Sequence, residues 1–204
     1  MMGRDLLRKL LGRFLGEVLA VGLVGCTAVS PTTQVLTLQP SLTSIGSIGA
    51  HRSSTTPPQL VAVSVTVPDA LDRRALTVRQ DDTRYRIDER YRWSLPFADE
   101  VREALLVRMQ LRYPALRFVH SAALGAADAK WQLQFVFTHF EADERGTATA
   151  QGRCILREGN APIWERTVSF QGPAERTPTG YATALQRLLD QVVEMCALPQ
   201  PDAK

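Results

Sequence analysis

Three cysteines and three histidines carry most of the reactive chemistry available to this chain of 204 residues. Cys26 follows Leu23-Val24-Gly25. A thiol set behind small residues is accessible to modifying enzymes, and its thiolate is nucleophilic at neutral pH where hydroxyls stay inert. Cys154 and Cys196 lie far from it and from each other. In an oxidising compartment they would pair, closing a loop worth about 4 kcal/mol in the chain-entropy account. Both positions equally suit small, buried, free side chains, so the sequence leaves the two readings open. Of the histidines, His51, His120 and His139, the second is followed by Ser121. Adjacent residues seldom hydrogen-bond productively, and no G-x-S-x-G elbow surrounds that serine. His139, Glu141 and Asp143 alternate, which on a strand would line one face with metal-ligand types. The same spacing also describes a polar strand end running into a turn. Nothing else converges on either group, so no catalytic residue and no metal ligand is predicted.

The elements around Cys26 explain what its thiol is for. Arg4, Arg8, Lys9 and Arg13 precede an apolar run from Phe14 to Val24, interrupted once by Glu17. That is the layout of an export signal, and a run of about a dozen residues is too short for a spanning helix, which needs roughly 20. Leu23-Val24-Gly25-Cys26 resembles the bacterial lipobox. On that reading residues 1–25 are a cleaved signal peptide. Cys26 then carries a covalent diacylglycerol and an N-acyl chain, the only cofactor-like groups expected. Two or three acyl chains anchor stably where one is marginal, at about 0.8 kcal/mol per buried methylene. Thr27, standing where an Asp would favour inner-membrane retention, points to the periplasmic face of the outer membrane rather than the inner membrane.

Composition is that of a globular protein, with 45% apolar and 22% charged residues. The net charge of +3 suggests a polyanion partner only at first sight, because four bases and two acids fall in the first 26 residues. What remains is 20 bases against 19 acids, so no nucleic-acid partner is expected. Between Thr27 and Gln59, 19 of 33 residues are Ser, Thr, Pro or Gly. Residues 26–59 therefore read as the lipidated Cys and a flexible tether able to stretch to about 110 Å. Val35-Leu36-Thr37-Leu38 is the exception, a β-prone run suited to pairing with the domain's sheet.

Residues 60–198 read as one folded domain, with 199–204 as a disordered tail. Leu60 to Val67 is β-branched and stops at Pro68, a strand. Ala75–Arg79 and Arg84–Ile87 flank Gln80-Asp81-Asp82-Thr83, a hairpin. Ser94-Leu95-Pro96 announces a helix, with Ser94 as candidate cap, and Phe97, Val101, Ala104, Leu105 and Met109 form one apolar stripe ending before Pro114. Trp131, Leu133, Phe135 and Phe137 alternate, and turns at 143–146 and 158–162 lead into strands at about 147–156 and 163–170: an antiparallel meander. Thr177-Pro178 opens a last helix whose Tyr181, Leu185, Leu188, Val192 and Met195 share a face. The expected fold is α+β, an antiparallel sheet with two helices packed on one face.

Seven arginines lie between Arg73 and Arg92, against Asp81, Asp82, Asp88 and Glu89. They suit a solvated edge hairpin kept from aggregating by its charge, or a contact for lipid headgroups or an acidic partner, with Arg84, Arg86, Arg90, Arg92 and Trp93 the candidates.

The stretch Val67-Pro68-Asp69-Ala70-Leu71-Asp72-Arg73, then Leu76-Thr77-Val78-Arg79, then Tyr91-Arg92-Trp93-Ser94-Leu95-Pro96-Phe97, resembles the ABC-type transport auxiliary lipoprotein family, the PqiC-like proteins. The lipobox and the late amphipathic helix agree, whereas Val35-Leu36-Thr37-Leu38 and Phe97 depart from the residues usual there. The resemblance implies a non-catalytic periplasmic subunit, anchored to the outer membrane, of a system moving phospholipids or other hydrophobic molecules between the two membranes. Its implied partners are an MCE-domain protein and an inner-membrane ABC permease and ATPase, and it implies a homo-oligomeric ring. Two other classes fit less of the sequence: a structural or assembly lipoprotein of another outer-membrane complex, and a periplasmic hydrolase using His120, Ser121 or His139.

Overall fold

The computed structural model describes residues 32–40 and 58–199. The expected export signal, Leu23, Val24, Gly25, Cys26, His51, most of the expected tether and residues 200–204 lie outside them. Within the described residues no helix is long and apolar enough to cross a membrane.

Among the described residues, eight strands and two α-helices follow one another as β1 (Gln34–Leu36), β2 (Gln59–Thr66), β3 (Ala75–Arg79), β4 (Tyr85–Trp93), α1 (Phe97–Arg112), β5 (Leu116–His120), β6 (Trp131–Ala142), β7 (Thr147–Glu158), β8 (Ala161–Pro173) and α2 (Pro178–Met195). The α+β class holds, but the sheet is not purely antiparallel. Five strands run in the order β5-β2-β6-β7-β8 and three more form a second sheet, β1-β4-β3. Strand β2 is parallel to both β5 and β6, and β1 is parallel to β4. Val61, Ala62 and Val63 are all buried, as expected of a central strand flanked on both sides rather than an exposed alternating one. The meander β6-β7-β8 is antiparallel throughout.

One face of the five-stranded sheet carries both helices. Val61 pairs with Trp131 and Phe118, Leu133 with Val63 and Leu156, and Phe135 with Cys154, so all point the same way and are buried. The α1 stripe Phe97, Val101, Ala104, Leu105 and Met109 is at most 3% exposed. Along α2, Tyr181, Leu185, Leu188 and Val192 are buried while Met195 is 41% exposed. Continuing their spacing brings the next turn to Cys196, which is fully buried. Helix α1 lacks a side-chain cap. Pro96 takes the cap position and Ser94 turns its hydroxyl to Glu100. Helix α2 is capped as its sequence indicates, with Thr177 Oγ1 accepting the Gly180 N–H at 3.0 Å.

Strand β6 carries a bulge between Phe137 and His139, opposite Gly152. A side chain at Gly152 would collide with the Val136 carbonyl, so only glycine lets the strands close there. The extra residue reverses the alternation. Before it Phe135 and Phe137 face the core; after it Phe140 and Ala142 do.

Candidate functional site

The short segment Gln34–Gln39 is held on the domain by three side chains from the two helices and by the backbone of the β4–α1 turn. β1 pairs with β4 through Gln34–Tyr91, Val35–Arg92 and Leu36–Trp93, and the Ser94 N–H closes on the Leu36 carbonyl at 3.1 Å. Beyond the strand, the Glu100 carboxylate accepts the Leu38 N–H at 2.7 Å, the Thr37 hydroxyl at 2.8 Å and the Ser94 hydroxyl. Arg108 donates to the Leu38 carbonyl at 3.0 Å and reaches Asp190 at 2.7 Å. Gln186 Nε2 donates to the carbonyls of Thr37 and Gln39 at 3.0 and 3.1 Å. Leu38 is fully buried, and Glu100 and Arg108 are 1% and 6% exposed. A buried carboxylate and guanidinium are tolerable only when their hydrogen-bonding capacity is used, as here. Residues 34–39 are thus part of the domain, and its boundary precedes Leu60. The signal for this was readable: Glu100 and Arg108 recur with Phe97, Val101, Ala104 and Leu105 on the apolar stripe of α1, where a charge needs a partner.

Most arginines of the hairpin are held by acids, three of them within it and Arg86 by Glu144 of the β6–β7 turn. Arg84 binds Asp81 at 2.7 Å, Arg90 binds Asp88 at 2.9 Å, Arg92 binds Glu89 at 2.9 Å, and Arg86 binds Glu144 at 2.7 Å. The Arg84 hydrogen bond, helped by the Thr83 N–H and hydroxyl, holds the Asp81 carboxyl well below the usual carboxylate range. The Arg90 hydrogen bond lowers the pKa of the Asp88 carboxyl. Trp93 is 3% exposed and packs on Phe97 with ring centres 5.1 Å apart, so it is a corner of the core and not a contact residue. Within residues 73–92, Arg73 and Arg74, both exposed and just before β3, have no ion-pair partner among the described residues.

His139 and Glu141 do share a face, because both follow the bulge, but their chemistry is spent on Arg79. Arg79 Nε donates to Glu141 Oε1 at 2.7 Å, Nη2 meets the Tyr85 hydroxyl at 2.5 Å, and His139 Nδ1 lies 3.0 Å from Glu141 Oε1. Burial pushes the Tyr85 hydroxyl pKa up, with the Glu141 charge adding to it. Asp143 turns away to accept the Thr147 N–H at 2.7 Å. This cluster joins β3 to the end of β6, next to the bridge between Arg79 and Asp143. Among the described residues no group of three or more His, Cys, Asp or Glu is placed to hold a metal ion.

Ser121 lies on a groove of about 270 Å³ between the β5–β6 crossover and the helix-free face of the sheet. Ala62, Ser64, Ala126, Ala127, Gln132 and Gln134 complete the lining, and none of them titrates. Ser121 donates its N–H to the Val63 carbonyl, and His120 continues the β5 ladder. Cys154 and Cys196 are joined in a disulfide, with Cα atoms 6.2 Å apart, tying the end of α2 to the middle strand of the meander. Both are fully buried.

A family model described as "ABC-type transport auxiliary lipoprotein component" matches residues 41–197. Among solved structures, a protein titled only as uncharacterised shares 19% identity, with 80% of this chain and 95% of that one aligned and a TM-score of 0.61. A Xanthomonas campestris protein of the DUF330 family shares 18% identity over 81% and 92% of the two chains, with a TM-score of 0.57. The PelC dodecamer of Paraburkholderia phytofirmans aligns more loosely, at 12% identity over 69% and 90% and a TM-score of 0.43. No curated protein matches the chain. At 18–19% identity, the first two structures show a shared fold.

Proposed function

The chain belongs to the ABC-type transport auxiliary lipoprotein component family, and from that premise we propose that it is a non-catalytic subunit of a transporter carrying phospholipids or similar hydrophobic molecules between two membranes. On this reading Cys26 bears the diacylglycerol and N-acyl chains, and the domain sits on the periplasmic face of the outer membrane. Its partners are an MCE-domain protein and an inner-membrane ABC permease with its ATPase, and several copies assemble as a ring. The family match over residues 41–197 carries the proposal. Two features support it. Cys26 stands only eight residues before the docked strand β1, and the oxidised Cys154–Cys196 pair suits a compartment outside the cytosol.

The test is mass spectrometry of membrane-extracted protein, wild type beside Cys26→Ala, combined with affinity purification from the native cell. Acylated Cys26 together with co-purifying MCE and permease subunits supports the proposal. An intact, unmodified amino terminus, or purification without either subunit, overturns it. Normal membrane permeability in a deletion strain that lacks one other outer-membrane complex would instead favour an assembly lipoprotein.

A further inference from the structure

The clamp on residues 34–39 changes how far the domain can stand from an anchor on Cys26. If the whole segment up to Gln59 were free, the domain would roam as far as about 110 Å. With β1 fixed to β4 and to both helices, only the seven residues 27–33 separate Cys26 from Gln34. Those eight residue steps span at most about 28 Å, and as a coil about 15 Å. The Gln34 end of β1, beside Tyr91 of β4, therefore lies closest to the anchor, and the entry to β3 sits a few residues along, opposite Trp93.

That corner has the chemistry of a surface resting on anionic headgroups. Val35 is 68% exposed, on a strand whose neighbours Leu36 and Leu38 are buried. Across the sheet, Val35 pairs with Arg92, and Arg92 pairs with Ala75. Arg73 and Arg74, exposed and without ion-pair partners among the described residues, come directly before Ala75, two strand spacings or about 10 Å from β1. An exposed apolar side chain beside Arg92, which also binds Glu89, with the unpaired Arg73 and Arg74 two strands away, suits the boundary between acyl chains and phosphates, where arginine binds phosphate oxygens by paired N–H donors. We propose that the Val35–Arg92–Arg73–Arg74 corner lies on the headgroup layer of the same bilayer that holds the acylated Cys26. The inference rests on the anchor proposed above. It sets aside Arg84, Arg86 and Arg90, each held by an acid, for Arg92 beside β1 and the unpaired Arg73 and Arg74 at the entry to β3.

Full-length acylated protein in liposomes of phosphatidylethanolamine, phosphatidylglycerol and cardiolipin tests this. Cys26 being acylated and Cys154 bonded to Cys196, a cysteine at Val35→Cys or Leu124→Cys is the one free thiol for a fluorescent dye; Leu124, on the β5–β6 crossover, is fully exposed and serves as the reference. With spin-labelled headgroups, quenching at Val35→Cys should exceed that at Leu124→Cys several-fold. The Arg73→Glu/Arg74→Glu double variant should reduce the difference, and a 20-residue Gly/Ser insertion after Thr27 should weaken it further. Equal quenching at both positions, in protein that floats with the liposomes and carries acylated Cys26, overturns the inference and leaves the anchor standing. Protein that neither floats nor carries acyl chains removes both. Shielding of the Val35→Cys dye from aqueous iodide without quenching by the labelled lipid would mean that a second copy covers the corner, and would also overturn it.

Discussion

The Glu100 carboxylate accepts the backbone N–H of Leu38, 62 residues earlier in the chain, at 2.7 Å. Because both groups are buried, removing the acceptor leaves an unsatisfied amide as well as a lost contact. Glu100→Ala should destabilise the domain by about 2–3 kcal/mol. It should also release β1 before the rest unfolds, so the Leu38 amide becomes the fastest-exchanging buried amide in native-state hydrogen exchange. Unchanged protection of Leu38 in that variant would show that Arg108 and Gln186 suffice to hold the segment.

The bond between Cys154 and Cys196 spans a sequence separation of 42. Its loss should cost about 4 kcal/mol in the entropy account, as an upper figure. The Cys154→Ala/Cys196→Ala variant should therefore show a lower urea midpoint, and wild-type protein in reductant should shift towards it. Non-reducing peptide mapping reads the linkage directly, and an unlinked pair would remove the effect.

Gly152 faces the Val136 carbonyl across the bulge of β6. Gly152→Ala must push the strands apart or shift the bulge, at a cost of about 1–3 kcal/mol. Gly159, which has open space around it, gives the comparison. Its φ of 57° lies in the left-handed region, so Gly159→Asn should be the milder change in thermal melting.

Acid should weaken the hairpin by a route that can be assigned. Asp88 is held below its ordinary pKa, chiefly by the Arg90 hydrogen bond. A carboxyl with a depressed folded-state value stabilises the fold above its unfolded pKa, near 4, and that stabilisation is lost as pH falls through the folded value. Urea midpoints of wild-type protein should drop from about pH 4 downward. Asp88→Asn should start lower and fall less steeply over the same range. Parallel acid limbs for the two proteins would rule the assignment out.

Those predictions draw unevenly on what was legible in the sequence. The meander, both helices, the β3–β4 hairpin and the docking tendency of Val35-Leu36-Thr37-Leu38 follow from periodicity and turn residues, which are local properties. The parallel pairing of β2 is not local. Its partners, Phe118 in β5 and Leu133 in β6, lie more than 50 residues away. Strand β5 was missed because five residues containing Arg117 and ending at His120 give too short an alternation to stand out. The bulge was equally invisible, and it decides which way His139 and Glu141 point. Paired and unpaired arginines look identical in a sequence. Only the geometry separates Arg84, Arg86 and Arg90, each held by an acid, from Arg73 and Arg74.

The hydrogen bonds from Gln186 to the carbonyls of Thr37 and Gln39 join positions 149 and 147 residues apart. A chain that emerges amino end first, from a ribosome or through a secretion channel, exposes β1 long before α2 exists to receive it. The first strand can pair with β4 and α1 once they emerge, but its Gln186 contacts wait through nearly the whole of synthesis. One practical result is that the two ends fail together: a chain truncated before α2 loses not only its last helix but also part of the grip on its first strand.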